Sequence, residues 1–422
     1  MNSKTIGNIF KGDKVIWMIF FFLCMISIIE VYSASSSLTY KSENYMGPVI
    51  KHMGLLGLGI LTMICMLKVK CKYFKIVTPF VLGFSFLLLI WALVAGQSAN
   101  GASRWINLVG FNFQPSELAK GAVILAVAQI LSAMQTENGA NNRAFKFILV
   151  AVAPFVFLIG LENLSTAMLL CVTILCMMIV GRIPMKLIGI LVGTVLIAIS
   201  LMLGTIMIIG HDDQETVKPE NTLTENVTKE EPSTAGKLFH RADTWKARID
   251  KFLDSKPVAP EDVDLNKDAQ VAHANIAIAS SNIAGKGPGN SVERDFLSQA
   301  YSDFIYSIII EEMGIEGAIA VAMLYIFLLF RVGRIANRCE NNFPAFLAMG
   351  LAILLVIQAL FNMMVAVGLA PVTGQPLPLI SRGGTSTVIN CVYLGIILSI
   401  SRTAKKKDGS QNAHHEAKIA VA

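Results

Sequence analysis

Apolar residues dominate this chain in long runs, and polar residues are pushed into the gaps between them. Runs long enough to span a bilayer, or nearly so, fall at 15–34, 49–67, 76–95, 117–134, 147–161, 164–181, 187–209, 304–330, 344–366 and 384–401. A membrane-crossing helix needs about 20 residues. The pattern therefore predicts an all-α polytopic membrane protein with ten transmembrane helices. The fifth and sixth runs are parted only by Glu162 and Asn163. One helix through both would exceed the bilayer thickness, so a tight reversal is expected there. Composition agrees: 422 residues are 54% hydrophobic and 15% charged, with mean hydropathy +0.60. A soluble domain does not look like this.

Charge then orients the spans. Lys4, Lys11, Lys14, Lys68, Lys70, Lys72, Lys75, Arg143, Lys146, Arg182, Lys186, Arg331, Arg334, Arg338, Arg402 and Lys405 all fall on one side. Short loops on the other side carry little beyond Lys41, Arg104 and Arg382. Basic short loops stay in the cytoplasm, so both termini are expected there. The first span reads as a retained signal anchor. The segments are then a cytoplasmic 1–14, a membrane domain 15–401 and a polar tail 402–422. The loops 96–116, 210–303 and 367–383 are placed outside, 210–303 being the large extracytoplasmic loop between helices 7 and 8. Within it, 211–235 is polar, and 244–255 (TWKARIDKFLDS) has the spacing of an interfacial helix. A further surface or re-entrant helix is expected over 270–283. The net charge of +6 is topological and does not point to nucleic acid. The seven cysteines and scattered histidines form no zinc or Ser–His pattern, so no metal-ligating residues are assigned.

The stretch 297–314 (LSQAYSDFIYSIIIEEMG) runs from polar to apolar with Asp303 at the seam. A carboxylate at membrane depth is costly and marks function; it also suits a helix N-terminus as a cap. The two readings stay open on position alone. Asp303 and Ser307 would share one face, and Glu311 and Glu312 would pair with Arg or Lys in the bundle. In 101–120, Arg104 and Trp105 lie in the loop, while Glu117 and Lys120 stand i, i+3 on the fourth helix. Lys120 would either hold a phosphate at the outer mouth or snorkel. The turn 285–291 (GKGPGNS), with Lys286, is a weak phosphate cradle and more readily a tight turn. The stretch 362–386 has three prolines and four glycines, with Ser381 and Arg382 near its end. Irregular backbone at membrane depth must lie against protein or a cavity, so this loop is expected to line the cavity that Asp303 overlooks.

Arg104-Trp105-Ile106, the QPSELAK run from Gln114 to Lys120, the turn 285–291, Asp303-Phe304-Ile305 and PVTGQPLPLISRGGTS at 371–386 together resemble the SEDS family (FtsW, RodA, SpoVE) over nearly the whole chain. The GNS ending of the turn is nearer the division member. The resemblance implies a peptidoglycan glycosyltransferase of the inner (cytoplasmic) membrane, its active site facing outside. It would polymerise lipid II onto undecaprenyl-diphosphate-linked glycan, beside a class B penicillin-binding protein and other division-site proteins. Asp303 matches the family's essential aspartate and would be the general base. Arg104, Trp105, Glu117, Lys120, Lys286, Ser381 and Arg382 would serve substrate binding. A divalent cation, Mg2+ or Mn2+, is allowed by the chemistry and is not derivable from the residues. A lipid II flippase and a division scaffold are the alternatives. The chain departs from the family pattern at Ser298, Gln299, Tyr301 and Ser302, where P-E-A-H-T-D-F reads SQAYSDF. It departs again at Glu162-Asn163 in place of P-D, and at Arg382 for the tyrosine of S-Y-G-G-S-S.

Overall fold

The structure is a computed structural model describing residues 11–34, 47–99, 102–108, 111–137, 139–209, 269–297 and 300–404. The interfacial segment 244–255, the polar stretch 211–235, Ser298, Gln299 and the tail beyond 404 lie outside the described residues. The chain divides into two compact units, Met1–Met185 with Val263–Ala422, and Lys186–Asp262.

In order, the helices are α1 (Lys14–Ala34), α2 (Gly47–Lys68), α3 (Cys71–Ala95), α4 (Pro115–Ala133), α5 (Asn142–Glu162), α6 (Leu164–Val180), α7 (Met185–Ile209), α8 (Ala269–Ala279), α9 (Ile305–Ala336), α10 (Asn342–Ala366) and α11 (Thr385–Thr403). Each predicted apolar run is helical. Among the described residues, eight helices are long and apolar enough to cross a membrane: α1 to α5 and α9 to α11. The apolar α6, with 17 residues, and the segment Met185–Ile197 of α7 are shorter apolar helices. The second unit is described only through α7. In the first unit, α4, α10 and α11 are the most enclosed spans, while α2, α3 and α5 present most of their apolar surface outward, as lipid-facing helices do.

The reversal between α5 and α6 is a single-residue break. Asn163 has extended backbone, closes α5, and caps α6 by accepting from the N–H groups of Ser165 and Thr166 at 3.1 and 3.3 Å. Asparagine suits this because its short amide satisfies donors that a helix start leaves open.

Two details were not expected from the sequence. The outer loop 96–116 of this mostly helical chain carries short strands. β1 (Gln97–Ala99), β2 (Ala102–Leu108) and β3 (Phe111–Phe113) form an antiparallel sheet, with Ile106 opposite Phe113. Ile106 of β2 is buried with Leu88 and Ala92 of α3, and Phe113 and Leu118 pack on them. β1 and β3 have three residues each, and the seven of β2 place Trp105 and Ile106 side by side, so no clean alternation stands out against the apolar background. A second pair of two-residue strands, β4 (Gln135–Thr136) and β5 (Gly139–Ala140), closes the α4–α5 connection.

The other detail concerns α9, which runs past the predicted 330 to Ala336 and is interrupted at Gly314 (φ 70°, ψ −172°). The kink lets the 281–289 segment lie against the helix backbone. Lys286 N–H donates to Glu311 O at 2.9 Å and Gly287 N–H to Glu312 O at 2.8 Å. A Cβ on Gly314 would stand 2.1 Å from Ile283 O. That backbone region is essentially closed to residues with a Cβ, at a cost of about 1–3 kcal/mol before any clash. Gly314→Ala is therefore expected to lower the thermal unfolding midpoint of the purified protein clearly, whereas Gly83→Ala, with open space around it, is expected to leave it nearly unchanged.

Candidate functional site

The turn before α9 is set by an apolar stripe. Leu297, Ala300, Phe304 and Ile308 recur at helical spacing and are buried with Ala34 of α1 and Ala274 of α8. Burying that side leaves Tyr301, Ser302 and Asp303 half-exposed on the other. The N-cap of α9 is Phe304, not Asp303, and its side chain makes no capping bond. The capping role expected for Asp303 is thus displaced by one residue, because the buried Phe304 fixes where the helix begins. Asp303 stands just outside α9, and Ser307 lies inside it, buried, with its hydroxyl on Ala366 O at 3.1 Å. The two do not share the helical face the spacing predicted. The Asp303 carboxylate accepts from Ser302 Oγ at 3.0 Å. It also faces Gly374, where a Cβ would stand 3.5 Å from Oδ2. Asp303 lies at the positive N-terminal end of the α9 segment that runs to the break at Gly314.

Three successive carbonyls of this turn are tied down by the irregular loop and by α10. Tyr301 O accepts from the Arg382 N–H at 3.0 Å, Ser302 O from Ser381 Oγ at 2.6 Å, and Asp303 O from Asn362 Nδ2 at 2.9 Å. The loop is itself fastened by side chains from the surrounding helices. Asn362 Nδ2 also donates to Gln375 O at 2.7 Å, and Gln358 Nε2 to Pro376 O at 3.2 Å. Tyr325 donates to Pro378 O, and Ser27 to Ile380 O at 2.7 Å. Buried backbone polar groups need such partners, and the prolines at 371, 376 and 378 remove three donors that would otherwise need acceptors. The loop lies against protein beside the Asp303 turn, one of the two settings that irregular backbone at membrane depth allows. Ser381, expected to bind substrate, is buried, and its hydroxyl is used in both directions: it accepts from Leu377 N and donates to Ser302 O. It positions the turn.

Beneath the loop lies the Glu117–Lys120 pair, at 2.7 Å, with side-chain exposures of 2% and 0%. Lys120 also donates to Gln358 Oε1 at 3.1 Å, and Ser386 Oγ lies 3.4 Å from Glu117 Oε2. Lys120 therefore neither snorkels nor reaches the surface. Its charge is neutralised, and Gln358 connects it to the loop carbonyl of Pro376. The sheet carrying Arg104 and Trp105 reaches the same region, since Thr385 Oγ1 donates to Asn112 O at 3.2 Å. Trp105 is half-buried, opposite Gln97; the Arg104 side chain lies outside the described residues.

A second polar cluster sits two turns into α9. Glu311 pairs with Lys286 at 2.6 Å and accepts from Ser291 Oγ and, at 3.1 Å, from Val292 N–H. Glu312 accepts from Gly289 N–H at 2.8 Å, from Ser291 N–H at 3.2 Å and from Ser33, with Arg294 Nη1 at 3.8 Å. The two acids are paired in the bundle, as expected. The glycine-rich turn is a cradle for these carboxylates, so its N–H groups and Lys286 are already engaged by the chain itself rather than held open for a phosphate.

The residues missed from sequence are Gln358 and Asn362. They stand i, i+4 on an otherwise apolar α10, and amides in an apolar span are the signal that could have found them. Among the described residues, no three His, Cys, Asp or Glu side chains gather as a metal site. The described side chains therefore form no protein-held cage for a divalent cation.

Fold and site together define a multi-pass membrane protein whose polar chemistry gathers around the N-terminal turn of one helix. A family model described as cell cycle protein, covering FtsW, RodA and SpoVE, matches residues 13–406, and the chain belongs to that family. It is 30% identical over 419 residues to the probable peptidoglycan glycosyltransferase FtsW of Geobacter metallireducens, covering 96% of this chain and 99% of the relative. It is 26% identical over 401 residues to the peptidoglycan glycosyltransferase MrdB of Escherichia coli K12, covering 94% and 96%. Among solved structures, it resembles a chain from a study of polymerization and crosslinking by a peptidoglycan synthase complex (TM-score 0.66, 25% identity, 94% and 99% covered). It shares its fold with the rod shape determining protein RodA of Thermus thermophilus (TM-score 0.62, 22% identity, 95% and 100% covered).

Proposed function

We propose that this chain polymerises lipid II into glycan strands at the outer face of the cytoplasmic membrane during cell division, with Asp303 as general base. The enzyme class, peptidoglycan glycosyltransferase, is that of its family relatives. The observation that carries the assignment of the base is the geometry of Asp303. It is half-exposed, on a turn whose three carbonyls are held by fixed partners, at the positive end of α9. A base must be both accessible and held in place.

In the reaction, the acceptor sugar's 4-hydroxyl gives its proton to an Asp303 oxygen as its own oxygen attacks the donor's anomeric carbon. The bond from that carbon to the diphosphate breaks, and the polyprenyl diphosphate leaves with the electron pair. The leaving group is already a weak base, so the second carboxylic acid of a glycosidase pair has no task here. One displacement inverts the anomeric centre.

The distribution of Lys and Arg in the short loops supports ten crossings with both termini in the cytoplasm and the Asp303 turn outside. The similarity to a chain studied within a peptidoglycan synthase complex supports a class B penicillin-binding protein as partner. The test is polymerisation of purified lipid II by the chain co-purified with that partner. Polymer chains are expected. Transport of lipid II across liposomes without polymerisation would overturn the reading in favour of a flippase.

A further inference from the structure

The cations near the Asp303 turn differ in one respect. Lys120 has Glu117, Lys286 has Glu311, and Arg294 has Glu312. Arg382 has no carboxylate partner among the described residues. Its guanidinium lies over the Tyr301 ring, 5.2 Å from the centroid, and its own N–H is bonded to Tyr301 O. It is therefore held two residues from Asp303, half-exposed, without being neutralised. An aromatic face engages the flat of a guanidinium and leaves its in-plane N–H fork for an anion. The surroundings favour the same charge. α11 begins three residues after Arg382, and its positive N-terminal end, at the N-cap Gly384, carries no side-chain cap. A Cβ on Gly384 would meet nothing within 4 Å, so there is room above the turn.

We infer that Arg382, clamped by Tyr301, is the residue that binds the diphosphate of the polyprenyl-linked donor, in place of the buried Lys120. The guanidinium would hold the two phosphates beside Asp303 and take up the charge that develops when the glycosidic bond breaks. This rests on the glycosyltransferase reading of the Asp303 turn.

The test is equilibrium binding of undecaprenyl diphosphate, undecaprenol and phosphatidylglycerol to the full purified chain in detergent. Arg382→Ala is expected to weaken diphosphate binding by about tenfold or more, the scale of a lost charge-assisted bond, and to leave undecaprenol binding unchanged. Arg382→Lys should recover part of the affinity. Tyr301→Phe, which keeps an aromatic face, should stay within about twofold of the parent, and Tyr301→Leu should fall between parent and Arg382→Ala. Diphosphate binding by Arg382→Ala within about twofold of the parent would overturn the assignment. So would an equal loss for undecaprenol, which means a damaged fold, or for phosphatidylglycerol, which means a bulk headgroup contact. A parent chain that binds diphosphate through Arg382 but makes no polymer upholds the binding assignment and sinks the polymerase reading of the Asp303 turn. Polymerising chains whose Arg382 variants bind normally sink this assignment alone.

Discussion

Lys120→Met is expected to destabilise the protein by about 3–5 kcal/mol, the scale of breaking a buried ion pair by removing one partner. Glu117 is 2% exposed, and its remaining side-chain contact is Ser386 at 3.4 Å, so a charge left there has little to compensate it. Adding Glu117→Gln should restore much of that stability, because neutral groups of similar size remove the charge with its partner. The double variant should still polymerise poorly. Gln358 would lose the ammonium that orients it, and with it the hold on Pro376 O in the loop over Asp303. Thermal unfolding of the two single variants and the double variant, read as a cycle, checks this. A Lys120→Met protein as stable as the parent would contradict the buried pair.

The membrane architecture was open to reading because lipid imposes a simple rule: each crossing must be a long apolar helix. The reversal at Asn163 was also visible, since asparagine between two apolar runs is both a stop and a cap. Tertiary events were not visible. Lys120 looked like a charge at the mouth because spacing shows its pairing with Glu117 but not how deeply α10 and α11 cover it. The 285–291 turn read more readily as a tight turn than as a phosphate cradle, and what it holds was hidden because nothing local reveals that Glu311 and Glu312 fold against its N–H groups. Position alone left Asp303 open between cap and functional carboxylate because the apolar stripe that makes Phe304 the start of α9 is completed by Ala34 and Ala274, both distant in sequence. Tyr301 and Arg382 stood as two unrelated departures from the family pattern, 81 positions apart, and the fold puts one over the other.

Asp303→Asn is expected to lower glycan polymerisation by about two to four orders of magnitude, the range for loss of a general base. The fold should survive. The Asp303 backbone carbonyl accepts from Asn362, and asparagine keeps that carbonyl. An amide also fits the space against Gly374 and can still accept from Ser302. What it cannot do is take the proton of the attacking hydroxyl. Thermal stability and association with the penicillin-binding protein should therefore match the parent while turnover collapses.

The direct test is polymerisation of purified lipid II by the Asp303→Asn chain, co-purified with its partner and compared with the parent complex at equal amounts. The account predicts long glycan from the parent and none above background from the variant, with both complexes intact. Parent-like glycan from the variant would remove Asp303 as the base and move the chemistry away from the turn at the start of α9.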